Sequence, residues 1–170
     1  MDPAANKPGR AGGRRLRAVL LLCKHVGLVA ALGGFAALAA IGLLVPVPEE
    51  PEGWRLLKGA MRAVFLPCVL GGLTATVGAG IGLWLLSPRA FLRARWFRVK
   101  LVVLAVGLPS LHLWARERVL AFYAAIERGE LAELEERLGG VTRAYLVALV
   151  FLAATALFAR LKPRLGTGVS

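Results

Sequence analysis

The sequence predicts an all-α membrane protein: a four-transmembrane-helix bundle, both termini cytoplasmic, with an extracytoplasmic amphipathic helical segment between helices 3 and 4. Three observations predict it. First, the 170 residues are 58% hydrophobic with a mean hydropathy of +0.67, more apolar surface than a soluble domain of this size can bury. Second, the apolar residues gather into four runs at 18–45, 63–86, 97–115 and 142–160, each near the roughly 17 to 25 residues that cross a bilayer. Third, charge alternates with the runs. Four crossings put the N-terminal tail, residues 87–98 and the C-terminal tail on one side, with twelve basic residues against Asp2 alone; residues 46–62 and 116–143 hold eight basic residues and nine glutamates. Excess basic charge marks the cytoplasmic side, so the expected location is the cell inner membrane, multi-pass.

Residues 1–16 are rich in Pro, Gly, Ala and basic charge, and are expected to form a disordered tail ahead of the membrane domain at 17–163. The first run is interrupted only by Lys24 and His25. A basic stretch before an apolar run also resembles a cleaved signal, but this run exceeds the about 7 to 15 residues of a signal core, and Val45-Pro46-Val47 lacks small residues; the expectation is a retained helix. The loop "PVPEEPEGW" is acidic and proline-rich, hence extended, and residues 55–62 open the second helix as a short amphipathic turn.

The second run carries no charge and contains "GGLTATVGAGIG". Gly78 and Gly82 are spaced as GxxxG, Gly72, Thr76 and Gly80 continue a ridge of small residues, and Ala30 and Gly34 repeat the spacing in the first run. Such ridges let helix backbones approach closely in lipid, here between helices one and two or toward a second copy or membrane partner. The third run, "WFRVKLVVLAVGLPSLHLW", holds Lys100, Pro109 and His112. Beyond it, Val119, Leu120, Tyr123, Ala124, Ile126, Leu131, Leu134 and Leu138 recur at helical spacing, with a break at Gly129 and a closure at Gly139-Gly140. Glu133 and Arg137, four apart, pair on the exposed face. The fourth run is uncharged, and residues 164–170 form a short tail. Trp84, Trp96 and Trp114 stand near run ends, where aromatic belts form.

Several functions are excluded at this level. The net charge of +12 is segregated to one side, where it attracts anionic lipid headgroups; no aromatic-basic platform supports nucleic-acid binding. Cys23 and Cys68 fall at opposite ends of their runs, too far apart for a disulfide, and no CxxC is present. No carboxylate lies within a run to couple ion transport. The remaining polar groups are the two histidines, His25 and His112, both within runs. Ionisable groups in a bilayer usually face the bundle interior, and both imidazoles are expected there. Two readings apply to each: a ligand for haem iron or a transition metal, or a hydrogen bond to a neighbouring helix carbonyl, such as that of Ala105 freed by Pro109. At 1.5 Å per residue, His25 lies about 12 Å beyond Arg17 and His112 about 21 Å beyond Arg98, so separate levels suit them better than one shared metal. Lys24 and Lys100 are placed to snorkel to the near face; an inward Lys100 would instead neutralise an anionic group such as a haem propionate.

"KHVGLVAALGG" in helix one, "WFRVKLVVLAVGLPSLH" in helix three and the closing "LKP" resemble a group of small four-helix prokaryotic membrane proteins: the HemJ-type protoporphyrinogen oxidases, the copper-resistance protein D membrane domain and uncharacterised relatives. His25, Trp96, Val99, Lys100, His112, Lys162 and Pro163 occupy the matching positions. The oxidases' W-x-G-x-x-Y-L-P-R and N-E-x-P are here "ALGGFAALAA" and "GGVTRAY", and two methionines with two histidines are few ligands for copper. The resemblance therefore implies association with a b-type haem, not the oxidase reaction: His25 would ligate the iron, with His112 and Lys100 as secondary cofactor-binding residues. The alternative function is a non-catalytic membrane subunit or scaffold.

Overall fold

A computed structural model describes the backbone of residues 9–86, 88 and 95–161, and every regular element among them is helical. The elements are α1 (Gly9–Leu44), α2 (Pro51–Val64), a π-helical segment (Phe65–Gly71), α3 (Gly72–Leu86), α4 (Arg95–Arg128) and α5 (Leu131–Leu161). Among the described residues, three helices are long and apolar enough to cross a membrane by length and composition: Gly13–Leu44, the continuous Pro51–Leu86 and Leu131–Phe158. The fourth, α4, is present but less clearly apolar, because Pro109, Ser110 and His112 are soon followed by Arg116, Glu117 and Arg118.

Local sequence explains most boundaries and several departures from expectation. α1 begins at Gly9, so the stretch expected to be disordered is helical from there on; Arg14, Arg15, Leu16 and Arg17 are good helix formers. Residues 1–8 and 162–170 lie outside the described residues. The acidic loop is shorter than expected. Pro51 sits at the first helical position, where a missing N–H costs nothing, Glu50 caps in an extended conformation, and Glu52 lies in the first turn, where a carboxylate meets the positive end of the helix dipole. The helix then runs without a break into the second span. Its ladder widens to π geometry around Pro67, which offers no N–H and crowds the preceding carbonyl. Pro109, by contrast, stands inside continuous α-helix. Gly129 ends the α4 hairpin at a positive φ of 72°, a conformation glycine adopts without cost. Gly139-Gly140 does not close the outer segment; both residues lie inside α5.

Side-chain packing orders the long helices in a row: α3, α1, α5, α4. α1 meets α3 where Gly27 faces Gly72 and Gly34 faces Cys68 and Val69. It meets α5 through the Phe35 and Tyr145 rings, whose centroids are 6.3 Å apart, and through Gly42 against Thr142. α5 meets α4 where Phe151 covers Gly107. α2 crosses from α1 to α4 at one end. There, Trp54, Leu57 and Met61 of α2 pack with Phe122, Ala125 and Ile126 of α4 and Leu134 and Leu138 of α5 in the main buried cluster. The rest of the row presents exposed aliphatics outward, among them Val29, Val102, Val106 and Val150, the surface a lipid environment would cover.

The helices outrun the bilayer. Pro51–Leu86 is 36 residues, about 54 Å at the helical rise, against a hydrocarbon core of about 30 Å. At one end of the row, α2, the 45–50 loop before it, the α4–α5 hairpin and the last turn of α1 form a cap. Nine of the ten acidic residues, from Glu49 to Glu136, are in it.

Candidate functional site

Both histidines point away from the bundle interior. His25 is exposed on α1, and its Nδ1 lies 2.6 Å from the Leu21 carbonyl oxygen one turn earlier. A carbonyl only accepts, so Nδ1 donates, and Nε2 takes no part in that bond on the exposed ring. This corrects the inward expectation, and the reason is local: a histidine can satisfy its N–H on its own helix without an interior partner. His112 is also exposed, on α4, and no bond joins it to the Ala105 carbonyl among the described residues. α1 and α4 are separated by α5, so the two imidazoles are not brought together. Lys100 is on α4, but its side chain lies outside the described residues, as does that of Trp96. No group of three metal-ligating side chains occurs among the described residues. His25 and His112 therefore do not form the walls of one haem pocket within a single chain.

The small-residue ridge is used in part. Gly72 and Thr76 do face α1: the Thr76 hydroxyl donates to its own Gly72 carbonyl at 2.8 Å and reaches the Lys24 carbonyl at 3.4 Å. Gly82 meets Leu20, whereas Gly78 and Gly80 face open space. On α1 the contact positions are Gly27, Ala31 and Gly34, with Ala30 beside them. Cys23 and Cys68 are both free, Cys23 exposed and Cys68 half-buried.

The most organised polar chemistry is in the cap. Lys58 of α2 pairs with Glu127 of α4, and its ammonium stands 5.3 Å above the Tyr123 ring, a cation–π distance. Arg118 stacks over Trp114 at 4.1 Å and donates to that residue's carbonyl at 3.0 Å, a pairing suited to the boundary between lipid and water. Arg128 holds Glu130 beside the turn, Nη2 to Oε2 at 2.9 Å, and Arg137 pairs with Glu133 as the spacing predicts. Between α1 and α5 opens a groove lined by Gly42, Leu43, Glu135, Glu136, Thr142 and Arg143. Sequence reasoning missed the α2 seat on the hairpin. The signal was there: Trp54, Leu57 and Met61 recur at intervals of three and four.

The Lys58 hydrogen bond and charge hold Glu127 below the ordinary carboxylate value of 4.5, and Arg128 does the same for Glu130. A depressed carboxylate contributes stability above its unfolded value and loses it as pH falls through the lower folded value. Acid titration from pH 7 to 3, followed by Trp54 fluorescence, should therefore show the cap loosening only below about 4.5. Glu127→Gln should flatten that step; an unchanged titration would remove the pair from the cap's stability. Burial pushes the Tyr123 hydroxyl up, partly offset by Arg62, so it stays protonated throughout.

No family model matches the chain, and comparison with curated proteins and with solved structures found no match.

Proposed function

We propose that the protein is an integral inner-membrane subunit or scaffold that presents its cap to a protein partner on the side opposite the basic termini. The observation that carries this reading is the cap itself. It has a buried aromatic core of its own, where Trp54 and Phe122 meet edge to face, and it holds nearly all the acidic residues, outside the lipid-facing belt. A bundle that only filled lipid would need no such extension. Leu56 and Leu120 remain exposed on it, and Glu135 and Glu136 edge the groove between α1 and α5. That mixture of isolated aliphatics and acid suits a partner with basic and apolar contacts. The charge separation supports cytoplasmic termini.

The test uses a photo-crosslinking residue placed at Leu56, Glu136 or Leu157 in intact membranes. Leu157 is exposed on α5 in the belt. Protein adducts are expected at Leu56 and Glu136, and lipid alone at Leu157. No protein adduct at either cap position sinks the scaffold reading.

A second reading keeps a b-type haem, and one observation favours it. The Leu21 bond takes Nδ1 of the exposed His25 ring and not Nε2, the arrangement in which the second ring nitrogen of a metal-ligating histidine is oriented by a hydrogen bond. A haem held this way would sit at a contact between α1 and another chain, a second copy included. Protein purified from haem-replete cells is then expected to show a Soret band that disappears in His25→Ala and persists in Arg137→Ala. A colourless preparation removes this reading and leaves the first untouched.

A further inference from the structure

The end of α1 remote from the cap carries positive charge in an ordered pattern. Arg14, Arg17, Leu21 and Lys24 recur at intervals of three, four and three, which places them on one helix face. Arg14 and Arg17 are exposed, and Lys24 is half-buried beside α3, where its carbonyl meets Thr76. No carboxylate occurs between Asp2 and Glu49, so nothing along α1 neutralises them. Arg98 is exposed at the same end of α4. Lys24 lies seven residues farther into the apolar run than Arg17, about 10 Å along the helix, and a flexible ammonium at that depth turns back toward the headgroup level. Leu21 above it and Leu28 below it offer aliphatic surface on the same face.

We propose that Arg14, Arg17 and Lys24 bind the phosphate headgroup of an anionic phospholipid in the adjacent leaflet, its acyl chains lying along α1. The inference rests on the membrane reading above. Two guanidiniums near the interface and one ammonium from below surround a phosphate position with donors of a single sign. That arrangement fits a lipid whose head carries net negative charge and gives a zwitterionic head, with its own cation, no advantage.

The full chain in nanodiscs of phosphatidylcholine mixed with phosphatidylglycerol provides the test, with bound lipid counted by native mass spectrometry. Wild type should retain phosphatidylglycerol selectively. Replacing Arg14, Arg17 and Lys24 together by Gln should weaken retention about a hundredfold, at about fivefold per basic charge near an anionic surface. Arg14→Lys with Arg17→Lys should keep most of it, and Arg55→Gln with Arg137→Gln, in the cap, should change nothing. Equal retention of both lipids, or a triple variant indistinguishable from wild type, overturns the proposal. So does displacement of the lipid by inorganic phosphate alone, which would make this a free-anion site. Failure of wild type to enter nanodiscs at all would instead overturn the membrane reading on which the proposal stands.

Discussion

Trp54→Ala is expected to open the cap while leaving the membrane-facing row intact. Trp54 is 2% exposed and Phe122 fully buried; their centroids are 6.0 Å apart with the planes at 73°. The indole fills the space between α2 and the hairpin, and Leu57 and Met61 on the same α2 face cannot extend into the void. Truncating a buried tryptophan costs about 3 to 5 kcal/mol, a large part of the stability of a structure this small. Amide exchange should rise sharply across residues 117–138 and change little in α1 and α3. Trp54→Phe, which keeps a ring against Phe122, should recover most of the protection. Unchanged exchange in Trp54→Ala would mean that the α2 seat does not hold the hairpin.

Gly72→Val is expected to break the crossing of α1 and α3. A Cβ at Gly72 would lie 2.6 Å from the Gly27 carbonyl oxygen and 2.7 Å from the Ala31 nitrogen. Both are helix backbone, which cannot turn aside as a side chain can, so the helices must separate. Forced overpacking costs about 1 to 3 kcal/mol where side chains can adjust, and about 3 kcal/mol or more is expected here. Separation would also break the Thr76 reach to the Lys24 carbonyl. Gly78→Ala provides the contrast: nothing lies within 4 Å of that position, so melting in detergent should be unchanged or slightly raised, since alanine is the better helix former. If Gly72→Val melts like Gly78→Ala, the crossing is not where the molecule is held together.

Periodicity and composition made the helices legible in the sequence, and small residues made one contact between them legible. Gly72, Thr76 and Gly34 were recognisable because lipid offers helices little besides close approach. Gly78 and Gly80 carry the same spacing and face outward, since a ridge winds around its helix and only one side meets a neighbour. The histidines show the sharper limit. Hydropathy identifies an imidazole within an apolar run but not which way it turns, and His25 is satisfied by the carbonyl of Leu21, a partner every helix supplies. The cap was legible as helix but not as a packed unit. Trp54 and Phe122 are far apart in the chain, and Lys58 and Glu127 are separated by 69 positions, so no local pattern joins them.

The row α3, α1, α5, α4 has a consequence for how the chain is made. Each outer contact joins long helices consecutive in sequence: α1 with the α3 half of the continuous Pro51–Leu86 helix that follows the 45–50 loop, and α4 with α5 across Gly129. The middle contact, Phe35 and Gly42 with Tyr145 and Thr142, joins the first third of the chain to the last. The molecule is thus two helical hairpins meeting along one seam, with α2 reaching across it. During synthesis the first hairpin can close and settle in the bilayer before the second leaves the ribosome, and the seam forms only once α5 is complete. Two separately translated halves, divided between α3 and α4, carry all the surfaces needed to find one another.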